Sequence, residues 1–145
     1  MQIRKVDSAC VSELAALAAR IWDGDAARLE RDFEHVAEDP AKAMFLASDE
    51  GVAIGFCLCA LRNDYVHGAT SSPVAYLEGV YVDAPYRGCG VARQLVEHAK
   101  DWALAQGCRQ IASDCPSDNA SSMRLHAALG FREAARIVCY VAPLE

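Results

Sequence analysis

The sequence predicts an α/β domain, and three observations carry the prediction. Short apolar or alternating runs bounded by turn residues recur along the chain, and longer runs with helical spacing stand between them. At Val80–Leu95 an apolar strand passes Pro85, Gly88 and Gly90 and enters a helical pattern. A chain of 145 residues with 53% hydrophobic content has room for one domain and one principal core.

Met1 to Val6 alternates as a short strand, and Asp7 or Ser8 is placed to cap the helix Cys10–Trp22, whose Leu14, Leu17 and Ile21 share a face. Asp23-Gly24-Asp25 breaks that helix. A second helix spans about Ala26 to Glu38 with Leu29, Phe33 and Val36 as its stripe. Ala43–Ser48 and Val52–Leu61 read as strands joined by the turn Asp49-Glu50-Gly51. Asn63–Pro73 is a polar loop, and Val74–Val82 is the central strand. Gly79 interrupts that strand, which glycine weakens unless a bulge or a close backbone approach requires it. Gly88–Gln106 is the long helix, stopped by Gly107. Cys108–Asp114 is a strand parallel to Val74–Val82, because a helix links the two. Ser117 or Asp118 caps a last helix that Gly130 ends, and Phe131–Val141 reads as a closing strand.

At Arg87–Arg93 the glycines permit positive φ, and a helix starting there leaves its first N–H groups without intrahelical partners. Such a terminus suits an anion such as a pyrophosphate, although a tight strand-to-helix turn without a ligand has the same spacing. A nucleotide P-loop is excluded, since no Gly-Lys-Ser/Thr follows, and the third glycine of a dinucleotide fingerprint is missing.

Arg87-Gly88-Cys89-Gly90-Val91-Ala92 resembles the acetyl-coenzyme A loop of the GCN5-related N-acetyltransferases (GNAT superfamily). Asn119 through Phe131, an Asn opening a helix that closes on Leu129-Gly130-Phe131, resembles their second motif. More narrowly, Asn63-Asp64-Tyr65-Val66, Ser71-Ser72-Pro73-Val74, Leu77-Glu78-Gly79 and Ala112-Ser113-Asp114 look like the aminoglycoside 6′-N-acetyltransferases, a branch with dimeric members. The resemblance implies a mixed, largely antiparallel twisted sheet, splayed between two parallel central strands and flanked by about four helices. It also implies acetyl-coenzyme A as co-substrate. The main chains of Val80, Tyr81, Val82 and Arg87, Gly88, Cys89, Gly90, Val91, Ala92 and Arg93 would bind it, with Asn119 bonding the arm. The loop bearing Trp22 and Asp25 would cover the acceptor.

Acetyl transfer to an amine needs a bound coenzyme, a neutral amine and a proton donor for the departing thiolate. Glu78 and Asp114 sit in otherwise apolar strands, where an acid is costly unless paired or functional. Both can attract an ammonium-rich acceptor, and Glu78 can take its proton, directly or through water. The alternative for each is a strand-end acid reaching solvent or a backbone N–H. Tyr65 can stack on a sugar or seal the core, and Trp22 can face substrate or pack at a helix end. For the thiolate, Tyr140 is the expected donor. His126 stands where many GNAT members have a tyrosine, and it is either a second donor or a packed residue.

A net charge of −6 argues against a nucleic-acid surface and suits a cationic small molecule. Seven cysteines without a Cys-x-x-Cys pair suggest neither a disulfide framework nor a zinc site, and no stretch approaches the ~20 residues of a membrane span. The expectation is a cytoplasmic, metal-free, single-domain homodimer that acetylates an aminoglycoside by direct transfer in a ternary complex. Another amine (a polyamine, metabolite or peptide N-terminus) and a non-catalytic acetyl-coenzyme A binder remain as alternatives.

Overall fold

The computed structural model describes residues 1–22 and 24–145; Asp23, assigned above to the interhelical turn, lies outside the described residues. The elements are β1 (Gln2–Lys5), α1 (Val11–Ala19), α2 (Ala26–Glu38), β2 (Lys42–Asp49), β3 (Val52–Arg62), β4 (Val74–Val82), a 3₁₀ turn (Ala84–Tyr86), α3 (Val91–Ala105), β5 (Ile111–Ser113) and α4 (Ala120–Ala128). They build one sheet in the order β1-β2-β3-β4-β5, antiparallel throughout except for the parallel β4/β5 pair. The expected mixed sheet with four α-helices is therefore present.

Local chemistry accounts for the joints. Asp49 pairs with Val52, leaving Glu50 and Gly51 as a two-residue turn with φ of 50° and 80°, the doubly positive geometry that fits the twist of a hairpin. Asp25 caps α2 by accepting from the Ala27 N–H at 3.1 Å. At α1 the expected cap is absent: Asp7 instead accepts from Ala9 N–H, and the helix begins without a side-chain cap. At α4 the cap is Asn119 rather than Ser117 or Asp118, its Oδ1 accepting from Ser122 N–H at 3.0 Å.

Both faces of the sheet are covered, which is why β2 reads as a nearly continuous apolar run. Ala43, Phe45 and Ala47 point to a core shared with Leu95, Val96, Ala99 and Trp102 of α3. Met44 and Leu46 point the other way, to Leu14, Ala18 and Phe33 of α1 and α2. A third group, Val66, Val74 and Tyr76, tucks the base of the Asn63–Pro73 loop onto β4.

The closing strand does not form. Residues 131–145 carry no strand, β5 is the sheet's edge rather than a central strand, and Ile137, Val138 and Val141 are 61%, 74% and 99% exposed. Apolar alternation makes a segment fit to pair without choosing its partner, and β5 offers only three paired residues. The tail leaves α4 past the Asn63–Pro73 loop. There Gly68, at φ +81°, has Ala134 so close that any side chain would collide.

Candidate active site

The sheet opens at Glu78. Leu58 pairs with Gly79 while Cys59 pairs with Leu77, so Glu78 is the extra residue of a bulge, one position before the glycine that marks it in the sequence. The β4/β5 pairing stops at the same level, after Leu77 and Ser113. A bulge increases local twist, and among the described residues the strand beyond it, Gly79–Val82, pairs only with β3. A Cβ on Gly79 would meet nothing within 4 Å, so the fold alone does not demand a glycine there.

Past the fork, β4 runs into the glycine loop. Gly88 and Gly90 have φ of 77° and 82°, and Gly90 is the N-cap of α3, where no side chain takes up the helix's first N–H groups. Added side chains at either glycine would enter open space. The loop is braced by Arg87, whose Nε–H donates to the Val82 carbonyl at 2.9 Å, and by Val91, buried at 3%. Cys89 is exposed, Ala92 packs partly on the core, and the Arg93 guanidinium donates to the Ala128 carbonyl at the end of α4 (2.6 Å). A cradle of free N–H groups and open glycines fits a pyrophosphate. Asn119 keeps its amide N–H donors available after its oxygen has capped α4.

A strap that the sequence did not suggest crosses from α1. Arg20 donates to Asp83 at 2.6 Å, and the Tyr81 hydroxyl donates to the same oxygen at 2.9 Å. Burial alone would raise the Asp83 carboxyl, but the hydrogen bonds from Arg20 and Tyr81 outweigh it and hold the group below the usual range. Burial and the same carboxylate push the Tyr81 hydroxyl up. An Arg at a helix end and an Asp 63 residues later carry no local pattern that would have paired them.

On the other side of the fork lies a polar cluster. Arg62 donates through Nη2 to both carboxylate oxygens of Glu78, at 2.9 and 3.1 Å, and its guanidinium carbon lies 3.4 Å from the centroid of the Tyr76 ring. The Tyr76 hydroxyl donates to Asp114. Burial first, then that hydrogen bond, push the Tyr76 hydroxyl up to about 12. The two acids foreseen in the sequence thus meet at the fork. Both are exposed, however, so the cost of burying an acid, which had singled them out, does not apply. Arg62 and Tyr76 were missed: Arg62 fell between the expected strand Val52–Leu61 and the loop, whereas β3 runs through it, and Tyr76 looked like an ordinary member of a strand.

Behind the fork, Ser113 Oγ donates to the Leu77 carbonyl at 3.0 Å, and His126 joins the chain from α4. Its Nδ1 lies 2.7 Å from the Ser122 carbonyl and its Nε2 2.8 Å from Ser113 Oγ. A carbonyl only accepts, so Nδ1 is the ring's N–H donor to Ser122, and Nε2 shares the remaining contact with the Ser113 hydroxyl. His126 is therefore packed edge-on to Phe131 and fixed at both ring nitrogens, with Nε2 turned to Ser113 beneath the fork.

The remaining candidates make no hydrogen bond to Arg62, Tyr76, Glu78 or Asp114 among the described residues. Trp22 is 40% exposed, with Phe56 at 5.7 Å and Phe33 at 6.3 Å between ring centroids, so it is a helix-end residue with an open edge. Asp25 is occupied as a cap. Tyr65 is 80% exposed and meets only the His67 ring among the described aromatic contacts. Tyr140 is 91% exposed on the tail, without a hydrogen bond among the described residues. Those residues hold no group of three His, Cys, Asp or Glu able to bind a metal ion, and no helix is long and apolar enough to cross a membrane.

A parallel strand pair that opens at a bulge, with an anion cradle on one side and carboxylates on the other, suits an enzyme that transfers an acyl group from coenzyme A to an amine. The chain belongs to the acetyltransferase (GNAT) family, whose model matches residues 11–131. It is 39% identical over 142 residues, 97% of either chain, to an aminoglycoside N(6′)-acetyltransferase type 1 of Salmonella enteritidis. It is 40% identical over 127 residues to one of Serratia marcescens, with 86% of this chain and 87% of that one covered. Among solved structures, the aminoglycoside N-acetyltransferase AAC(6′)-Iy in complex with CoA superposes with a TM-score of 0.92 at 37% identity, covering 97% and 93% of the two chains. The same enzyme with the bisubstrate analogue CoA-S-monomethyl-acetylneamine also gives 0.92, at 36% identity over 98% and 97%.

Proposed function

We propose that this chain is an aminoglycoside 6′-N-acetyltransferase, a single domain that transfers the acetyl group of acetyl-coenzyme A to an amino group of its acceptor by direct transfer in a ternary complex. The observation that carries the acceptor class is the meeting of Glu78 and Asp114 at the mouth of the fork, through Arg62 and Tyr76. Two carboxylates a few residues from a coenzyme cradle attract a molecule with several ammonium groups. The relatives named above act on such molecules by their names, and their likeness runs the length of the chain.

The roles follow from position. Acetyl-coenzyme A supplies the acetyl group as a thioester. The first N–H groups of α3, from Val91 to Arg93, and the loop Arg87–Gly90 hold the pyrophosphate. The main chain of Val80, Tyr81 and Val82, open on the side away from β3, holds the arm, with the Asn119 amide as a further donor. Asp114 draws the acceptor, Glu78 takes a proton from its ammonium through water, and Trp22, Asp25 and Tyr65 lie on segments that flank it. The freed nitrogen attacks the thioester carbonyl, and as the carbon–sulfur bond breaks the nitrogen gives its second proton to solvent water. The thiolate then takes a proton, for which His126 is one donor. Tyr140, 91% exposed on the tail, is the alternative donor, available where the tail lies against the bound arm of this chain or of a second copy.

That condition bears on assembly. Apolar residues of the tail stand exposed and β5 presents an open edge, so a homodimer in which a second copy covers both is the assembly that suits this chain. Seven free thiols, among them the exposed Cys89 and Cys139, suit a reducing cytoplasm.

The test is thiol release from acetyl-coenzyme A over a panel of aminoglycosides and simple polyamines. Turnover with aminoglycosides bearing a 6′-amino group, and none with analogues carrying a 6′-hydroxyl, is the expected result. Equal turnover of spermine and kanamycin would move the assignment to a general amine acetyltransferase.

A further inference from the structure

We propose that Arg62 is a displaceable internal cation that occupies the acceptor's place at Glu78 and sets how strongly an amine must bind to enter. This deepens the acceptor reading of Glu78 and Asp114 and rests on it. Arg62 ends β3 just before the Asn63–Pro73 loop, and its guanidinium presents one nitrogen to both oxygens of Glu78 while lying flat on Tyr76. Glu78 is the bulge residue at the fork, so the Arg62 head sits where an amine bound by that carboxylate would have to sit. The pair is open to solvent, 41% and 39% exposed, and its hold is correspondingly light.

An acceptor nitrogen reaching Glu78 exchanges one cation for another, and the Coulomb gain at that carboxylate nearly cancels. Net attraction then comes from a second ammonium able to reach Asp114, whose charge is met only by the Tyr76 hydroxyl in this cluster. With Arg62 in place the three charged groups sum to one negative charge; without it they sum to two. A solvent-exposed ion pair and an exposed cation–π contact together hold Arg62 by an amount worth roughly 3- to 30-fold in affinity. The head is already 41% exposed, so it can turn into water when an acceptor amine takes over Glu78, giving up the ring contact as it goes.

The experiment compares wild type with Arg62→Met, which keeps an unbranched stem and loses the charge, and with Arg62→Lys, which keeps the charge and loses the planar stack. For Arg62→Met the acceptor KM at low salt should fall about 3- to 30-fold, with kcat changing less, and the gain should shrink as salt approaches 1 M. Arg62→Lys should lie between. Because these are steady-state readouts, spermine binding to the coenzyme A-loaded protein is measured alongside by calorimetry, where Arg62→Met should bind more tightly by a similar factor. An unchanged or raised KM, together with unchanged or weaker spermine binding, in folded Arg62→Met would overturn the proposal and make Arg62 a fixed support of Tyr76. If Arg62→Met fails to fold, Arg62→Lys decides alone by the same comparison. If wild type acetylates nothing in the aminoglycoside panel, the functional reading falls while the spermine comparison still judges Arg62.

Discussion

Replacing Gly90 by valine separates what the fold needs at that position from what a ligand needs. Gly90 has φ +82°, and its added side chain would meet no protein atom within 4 Å. The cost to the fold is therefore backbone strain alone, about 1–2 kcal/mol for an L-residue in the left-handed region. In a domain of this size that lowers the melting temperature by roughly 2–8 °C. Gly107, which stops α3, has φ +88° and equally open surroundings, so Gly107→Val carries the same strain and serves as the control. The two variants should melt alike. Their coenzyme A affinities should not: at Gly90 the valine fills the space in front of the first N–H groups of α3. Each charge-assisted hydrogen bond to phosphate lost there costs about 1.5–3 kcal/mol, roughly 10- to 100-fold in Kd. Calorimetric titration with coenzyme A reads this directly. A folded Gly90→Val protein that binds like Gly107→Val would refute the phosphate cradle.

Two further predictions concern Tyr76 and the tail. An unfolded tyrosine ionises near 10, whereas folded Tyr76 holds its proton to about 12, so as pH rises from 10 to 12 the unfolded chain releases a proton that the folded chain keeps, and stability is lost. Urea unfolding should show wild type more stable than Tyr76→Phe at pH 9 and that advantage shrinking by pH 11.5; a constant difference would refute the raised ionisation of the Tyr76 hydroxyl. Deleting residues 132–145 should convert a dimer to a monomer in sedimentation at micromolar concentration, and a full-length chain that is already monomeric there would remove the dimer proposal.

The chain order of helices and strands was legible because turn residues and periodicity are local. Even the bulge was, since Gly79 has no reason to interrupt an apolar strand unless the ladder is broken there. The glycine loop was legible for the same reason. What was not legible depends on neighbours brought together by folding. Arg62 and Tyr76 show no link until β3 and β4 are registered, and Arg20 meets Asp83 only once α1 lies across the sheet. The tail reads as a strand because its side chains are those of a strand; its partner is not encoded beside it. The caps at α1 and α4 show the limit at short range, where several adjacent polar residues could each have served and backbone geometry chose.

The loop Asn63–Pro73 is held at its base by a polar anchor and an apolar one. Gln110 Oε1, just before β5, accepts from Thr70 N–H at 2.7 Å and from Ser71 Oγ at 3.0 Å, and Val66 is buried beneath. Asp64, Tyr65 and His67 stand exposed above these anchors, engaging little else. Foundation and façade are thus separate. Mutation at those three positions is nearly free of consequence for folding, while mutation at Gln110 or Val66 is not. A lineage under changing chemical attack can therefore redraw the shape it presents to small molecules one residue at a time, without first having to gather compensating stability elsewhere.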